Sequence, residues 1–253
     1  MHDLTLWLRG FMPKPTSIGN LERFRACAGA LLGILVTGLV TRWFLGSGSS
    51  AALPMLVAPM GASAVLLFAL PSSPLAQPWS ILGGNLISAA TGVTCALWIS
   101  DPMLAAALAV SMAIAAMIAL RCVHPPSGAV ALTAVLGGPL IHAQGYWFLL
   151  APIGLNSLLL LAVALLFNNL TRHRYPHTAP EPARHQPSVT QPDSTVGFIS
   201  EDIDYVLSRY NEILDVSRDD LEMLLLQIEQ HAYQRRRSEN SVTRTESSDR
   251  RLT

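Results

Sequence analysis

Apolar residues gather into six long stretches, at about 24–45, 52–70, 80–100, 102–120, 124–140 and 146–168, with short polar breaks between them. Runs of about 18 or more apolar residues are the length of a membrane-spanning helix, and none alternates with the period of a half-buried strand. The pattern therefore predicts an all-α, polytopic membrane helix bundle. The second and fifth stretches differ from the rest because prolines interrupt them: Pro54 and Pro59 in one, Pro125 and Pro126 in the other. Proline lacks an N–H and cannot continue a helix, but it fits the first helical position. These two segments are thus expected to be broken or re-entrant.

The fifth stretch opens Arg121-Cys-Val-His-Pro-Pro-Ser-Gly-Ala-Val-Ala-Leu. Pro126 biases Pro125 away from the α region, which predicts a break at His124-Pro125 and a helix from Pro126. The first N–H groups of such a helix, on Ser127, Gly128 and Ala129, have no partner within it. In hydrocarbon a break of this kind stands only against protein or a polar cavity, and the positive end of a broken helix suits an anion. Pro59-Met-Gly-Ala-Ser-Ala-Val-Leu-Leu has the same skeleton as Pro126-Ser-Gly-Ala-Val-Ala-Leu-Thr-Ala, with Gly at +2 and Ala at +3. Gly83-Gly-Asn85 follows the first copy and Gly154-Leu-Asn156 the second. The expected architecture is accordingly two three-segment repeats, with corresponding breaks marking a binding site.

Charge divides the chain sharply. Residues 26–170 carry only Arg42, Asp101 and Arg121, whereas residues 171–253 carry eleven Arg and fourteen Asp or Glu. The expected organisation is an arm at 1–22, a membrane domain at 23–170, a Pro-rich linker at 171–198, a cytoplasmic helical pair at 199–237 and a disordered tail at 238–253. The pair rests on Ile203, Val206, Leu207, Tyr210 and Ile213, then Leu221, Leu224, Leu225 and Ile228, at helical spacing. Two such helices bury too little alone and need a partner copy or the cytoplasmic loops, so a homo-oligomer is expected. Arg9, Lys14, Arg23 and Arg25 before the first segment and Arg172 and Arg174 after the last place both ends in the cytoplasm. Six spans would put Arg121 on that side and Asp101 opposite; four spans would exchange them. Gly29 and Gly33 suit close helix packing. The three cysteines show no metal-ligand spacing, no enzyme signature or cofactor loop is present, and no basic stripe points to nucleic acid.

With His124-Pro125-Pro126-Ser127-Gly128-Ala129, Ala58-Pro-Met-Gly-Ala-Ser-Ala-Val-Leu-Leu-Phe68, Gln77-Pro-Trp79 and Gly83-Gly-Asn85 in order, residues 18–170 resemble the HPP family of integral membrane proteins. Residues 200–237 are similar to the segment that leads, in longer bacterial members, to paired CBS domains. The resemblance implies an inner-membrane protein of bacterial type that passes a small anion such as nitrite. Substrate-binding residues would be His124, Pro126, Ser127, Gly128, Ala129, Pro59, Gly61, Ala62, Ser63, Asn85 and Asn156. Backbone amides and the two serine hydroxyls supply donors. His124 adds charge and proton coupling if protonated, or bonds a carbonyl if neutral. Asn85 and Asn156 either line the cavity or bond between helices. The competing expectation is a membrane-anchored sensor or scaffold that signals through its cytoplasmic helices.

Overall fold

Proline sets where most helices begin. In the computed structural model, which describes residues 19–45, 56–177, 200–209, 216, 218 and 220–228, five helices and a 3-10 turn start on a proline. The helices are α1 (Asn20–Leu45), α2 (Pro59–Ala69), α3 (Pro78–Trp98), α4 (Pro102–Ala119), α5 (Pro126–Leu136), α6 (Pro139–His142), α7 (Leu155–Leu170) and α8 (Ser200–Arg209). A 3-10 turn, Pro74–Ala76, precedes α3, and a π-type turn, Leu149–Gly154, leads into α7. All regular elements among the described residues are helical.

Four stretches are long and apolar enough to cross a membrane: Asn20–Leu45, Pro78–Trp98, Pro102–Ala119 and Leu149–Leu170. At 1.5 Å per residue, the 11 residues of α2 and of α5 reach about 16 Å, half of a hydrocarbon core of about 30 Å. The expected sixth segment is itself broken, because Ala151 is extended (φ −142°, ψ 122°) ahead of Pro152. Residues 20–22, assigned to an arm, are the first turn of α1. Residues 1–18 of the arm, Pro54 of the second stretch, residues 178–199 of the linker, Tyr210 and Ile213 of the helical pair and residues 229–253 lie outside the described residues.

Hydrogen bonds fix the direction of each helix. Arg25, near the start of α1, donates to Phe68 O at the end of α2 and to Asn168 Oδ1 at the end of α7, both at 2.9 Å. Tyr175 beyond α7 donates to Ala76 O ahead of α3, and Trp79 at the start of α3 donates to Leu120 O at the end of α4. The start of α1, the end of α2, the start of α3, the end of α4 and the end of α7 therefore share one end of the bundle. The turn at Asp101, whose carboxylate caps α4 by accepting from Leu104 N at 2.7 Å, and the end of α5 share the other. The chain thus passes along the bundle six times, two of the passes being made by half-length helices. Arg121 lies at the same end as the start of α1 and Asp101 at the opposite end, as six passes require.

Packing is close because the facing residues are small. A Cβ on Gly29 or Gly33 would come within 3.0 Å of Phe68 and of Phe167 or Leu160, so α1 sits directly on α2 and α7. A Cβ on Gly92 would come 2.7 Å from Ala131 O and from Ala134 Cβ, so α3 meets α5 nearly backbone to backbone. The opposite faces of α1 and α4 carry exposed Leu31, Leu35, Leu39, Leu104, Ile114 and Ile118, the apolar exterior a bilayer covers. Two core clusters result, one around Met60, Leu67, Phe68, Ile81, Phe148 and Leu160 and one around Cys95, Ala105, Ala109, Ala113 and Met117.

Residues 171–177, assigned to a polar linker, pack instead as a strap across the end of the bundle. Tyr175 is buried there, and burial raises its phenol well above the ordinary range. Of the expected cytoplasmic pair, α8 and a helix at residues 220–228 are described. Arg218 joins them by bonds to Asp204 of α8 and to Glu222. That guanidinium holds the Asp204 carboxyl below its usual value.

Candidate functional site

The polar residues of the membrane domain converge where α2 and α5 begin. His124 is fully buried, and both of its ring nitrogens are engaged. Nδ1 is 2.8 Å from Leu75 O and Nε2 is 2.8 Å from Ser63 Oγ. A carbonyl only accepts, so Nδ1 carries the proton and donates to Leu75 O. A neutral ring then accepts at Nε2 from the Ser63 hydroxyl. A protonated ring would donate there, and the hydroxyl would turn to Pro59 O at 3.4 Å. Either charge state finds partners without moving a heavy atom.

A second chain of bonds runs beside it. Ser127 Oγ donates to Asn85 Oδ1 at 2.7 Å, and Asn85 Nδ2 donates to Ser157 Oγ at 2.9 Å. Asn156 works the other way along the bundle. Its Oδ1 accepts from Val57 N, just ahead of α2, at 3.2 Å, and its Nδ2 donates to Thr41 Oγ1 of α1 at 3.0 Å. Asn85 of α3 thus holds the start of α5, and Asn156 of α7 holds the approach to α2. Both asparagines are fully buried and bond between helices. Ser63, Ser127, Ser157 and Thr41 are fully buried as well.

Glycine lets α3 reach this place. A Cβ on Gly84 would stand 2.9 Å from His124 Cβ, 2.9 Å from Ser127 Oγ and 3.0 Å from Cys122 O. On Gly83 it would stand 3.1 Å from Cys122 Cβ. Only a helix without side chains at these two positions lets the 122–127 segment lie against it.

The helix starts differ from expectation in one respect that matters. Pro125 is in the α region (φ −53°, ψ −38°), as is Ala58 (φ −52°, ψ −37°) at the corresponding place. The restriction that Pro126 imposes on its predecessor is a bias, and here packing overrides it. One tight turn therefore precedes each helix. Ser127 N donates to His124 O and Gly128 N to Pro125 O; Met60 N donates to Val57 O and Gly61 N to Ala58 O. The amides of Ser127 and Gly128, expected to be unpaired, and that of Gly61, expected to be a free donor, are occupied by carbonyls three residues back. Pro59 and Pro126 are buried first residues of their helices, as expected, whereas Gly61, Ala62 and Ala129 face outward and Gly128 is half-buried. The side chains of His124, Ser63, Ser127 and Asn85 come together; the exposed small residues do not join them.

Several partners have no counterpart in the sequence reading. Ser157 adjoins Asn156 and Thr41 lies four residues along the buried stripe from Thr37, both visible as polar residues on apolar faces. Leu75 O and Phe68 O are main-chain groups, and nothing in the side-chain pattern marks them. No group of three or more His, Cys, Asp or Glu able to hold a metal occurs among the described residues.

Comparison with known proteins agrees with this architecture. The family model described as HPP, transmembrane region, matches residues 15–176. A transmembrane protein of Dictyostelium discoideum is 35% identical over 176 residues, which are 67% of this chain and 60% of the relative. A second from the same organism is 40% identical over 126 residues, 48% of this chain and 40% of the relative. The chain thus spans less than two thirds of either relative's length. No solved structure matches. A matched span that takes in every helix from α1 to α7, in a bundle with four helices of membrane-crossing length, makes this chain a multi-pass integral membrane protein of the HPP family.

Proposed function

We propose that the protein is a transporter or channel for a small monovalent anion of the nitrite kind, seated in a cell's inner membrane with the start of α1 and the end of α7 on the cytoplasmic side. One observation carries the reading: His124, Ser63, Ser127, Asn85 and Ser157, all fully buried, meet where two half-length helices begin inside a membrane domain. Polar groups at such depth are costly and mark substrate or ion pathways by default. A small anion needs several converging donors, and the hydroxyls of Ser63 and Ser127, the Asn85 amide and His124 supply them. In the described arrangement these groups bond one another, which corresponds to a closed state. Entry of an anion replaces those mutual bonds. Both charge states of His124 find hydrogen-bond partners, and protonation as the anion enters lets a proton accompany it.

The helix pairings support the repeat that this mechanism uses. α1 runs antiparallel to α2 and α7, and α4 runs antiparallel to α5 and α3. α2 runs parallel to α7, and α5 runs parallel to α3. The two sets start from opposite ends of the bundle, the relation of inverted-topology repeats in which one half rocks against the other.

Purified protein in liposomes, loaded with an anion-sensitive dye, tests the reading by nitrite entry. Wild type is expected to pass nitrite and Ser127→Ala to pass it several-fold more slowly, with equal insertion. No flux of any small anion through the wild type, or equal flux through both, removes the carrier reading. Docking of the helix at residues 220–228 against His177 favours a second reading, a sensor that acts through its cytoplasmic helices. Deleting residues 199–237 leaves flux intact in the first case and abolishes the protein's function in the second.

A further inference from the structure

One short connection touches both the buried cluster and the tail. Residues 71–77 are stiffened by their own bonds: Gln77 Nε2 donates to Ser73 O at 2.9 Å and to Pro71 O at 3.2 Å, Ser73 Oγ accepts from Leu75 N, and Ser80 Oγ donates to Pro74 O. On the inner side, Leu75 O receives the His124 Nδ1 proton. On the outer side, Ala76 O accepts from Tyr175 Oη at 2.6 Å and Gln77 Oε1 accepts from His177 N at 2.9 Å. His177 Nε2 in turn lies 2.9 and 3.0 Å from the two carboxylate oxygens of Asp220, on the helix at residues 220–228.

We propose that this tail helix is a latch on the buried polar cluster, acting from Asp220 through His177 and the stiff 71–77 connection onto the Leu75 carbonyl that orients His124. The latch is built to release. Beside the His177–Asp220 pair the seat is a cavity of about 450 Å³, lined by Ser72, Asp220, Met223, Leu224 and Gln227. The cavity leaves part of the helix face without packing, and the His177–Asp220 hydrogen bond is a polar contact that joins the helix to the strap. Near it, Glu22 pairs with His173 of the strap and with Arg25, and Arg218 pairs with Asp204 and Glu222. Removing the tail's hold lets the connection shift, the Leu75 carbonyl withdraw and the 122–127 segment open.

Cys122 reports that opening. It is fully buried two residues from His124, while Cys27 is exposed and Cys95 buried elsewhere on α3. The experiment uses the full chain in liposomes with Cys27→Ser and Cys95→Ala, and measures alkylation of Cys122 by N-ethylmaleimide. His177→Ala and Asp220→Ala are each expected to react about 5- to 30-fold faster than the parent, the change that loss of a modest interaction gives in an opening equilibrium. The double variant should be no faster than either single one, because both remove the same link. Asp220→Glu should restore most of the protection. Met103→Ala, exposed at the far end of the bundle, should leave the rate unchanged. An unchanged rate in Asp220→Ala, multiplied effects in the double variant, or an equal rise in Met103→Ala each overturns the latch. The readout involves no transported ion, so it stands or falls apart from the carrier reading.

Discussion

Gly84→Ala puts one methyl group where α3 meets the 122–127 segment. The added Cβ stands 2.9 Å from His124 Cβ, 2.9 Å from Ser127 Oγ and 3.0 Å from Cys122 O. Ordinary carbon contacts begin near 3.5 Å, so each neighbour has to retreat by roughly half an ångström. Neither the His124 Cβ nor the Cys122 carbonyl can rotate away. The Ser127 hydroxyl can, but only by leaving Asn85 Oδ1, its acceptor at 2.7 Å. Overpacking of this kind costs about 1–3 kcal/mol, and a buried amide oxygen left without its donor about 1–3 kcal/mol more. Replacing a mid-helix glycine returns about 1 kcal/mol. The net expectation is a loss of about 1–5 kcal/mol. Gly128→Ala is the matched control, since nothing lies within 4 Å of its Cβ. It should be neutral or gain up to about 1 kcal/mol. Unfolding of the purified proteins in mild detergent, followed by far-ultraviolet circular dichroism, measures both. A Gly84→Ala protein as stable as Gly128→Ala would refute the close approach on which the site depends.

Arg25→Met removes the donor shared by Asn168 Oδ1 and Phe68 O and leaves Glu22 with less compensation; a loss of about 3 kcal/mol is expected in the same unfolding assay. Asp101→Ala uncaps α4 and should cost about 1 kcal/mol, with the helix content of the folded protein unchanged. Tyr175 gives a pH signature. Its buried phenol keeps its proton in the folded state above the ordinary value of 10.0, at which the unfolded chain releases it. The folded state then binds more protons than the unfolded one, so stability is full below about pH 10 and falls as pH rises beyond it. Tyr175→Phe should be less stable at neutral pH by about 1 kcal/mol and show a shallower alkaline decline.

The apolar stretches, the two half-helices and their starts at Pro59 and Pro126 were all legible, because chain length and the missing proline N–H act locally. Asn85 and Asn156 were both singled out as polar residues on apolar segments. Their partners were not. An asparagine's side chain bonds whatever the neighbouring helix presents at that depth and rotation, and Ser157, Thr41 and Val57 N become neighbours only through helix packing. Leu75 O is a main-chain atom 49 residues from His124, invisible to any side-chain pattern. The amides of Ser127 and Gly128 were expected free because the first turn of a helix has no intrahelical partners for them and a break was expected ahead of Pro126. Packing of the 122–127 segment against Gly83 and Gly84 outweighs the bias that Pro126 sets on Pro125. Arg25 was read as a flanking charge and nothing singled out Asn168; their bond appears only once α1 and α7 lie side by side.

The exchange of partners between the halves has a consequence for how the protein is made. α3 leaves the ribosome with the first half but rests on α4 and α5 of the second, whereas α1 and α2 wait for α7, the last membrane helix to be synthesised. Neither half can finish assembling on its own. Until translation is nearly done, the first three helices stand in the bilayer with Asn85 lacking its partners and Arg25 lacking Asn168. The nascent protein must therefore be sheltered by the insertion machinery, and a chain stopped after α4 should be degraded rather than accumulate as a stable fragment.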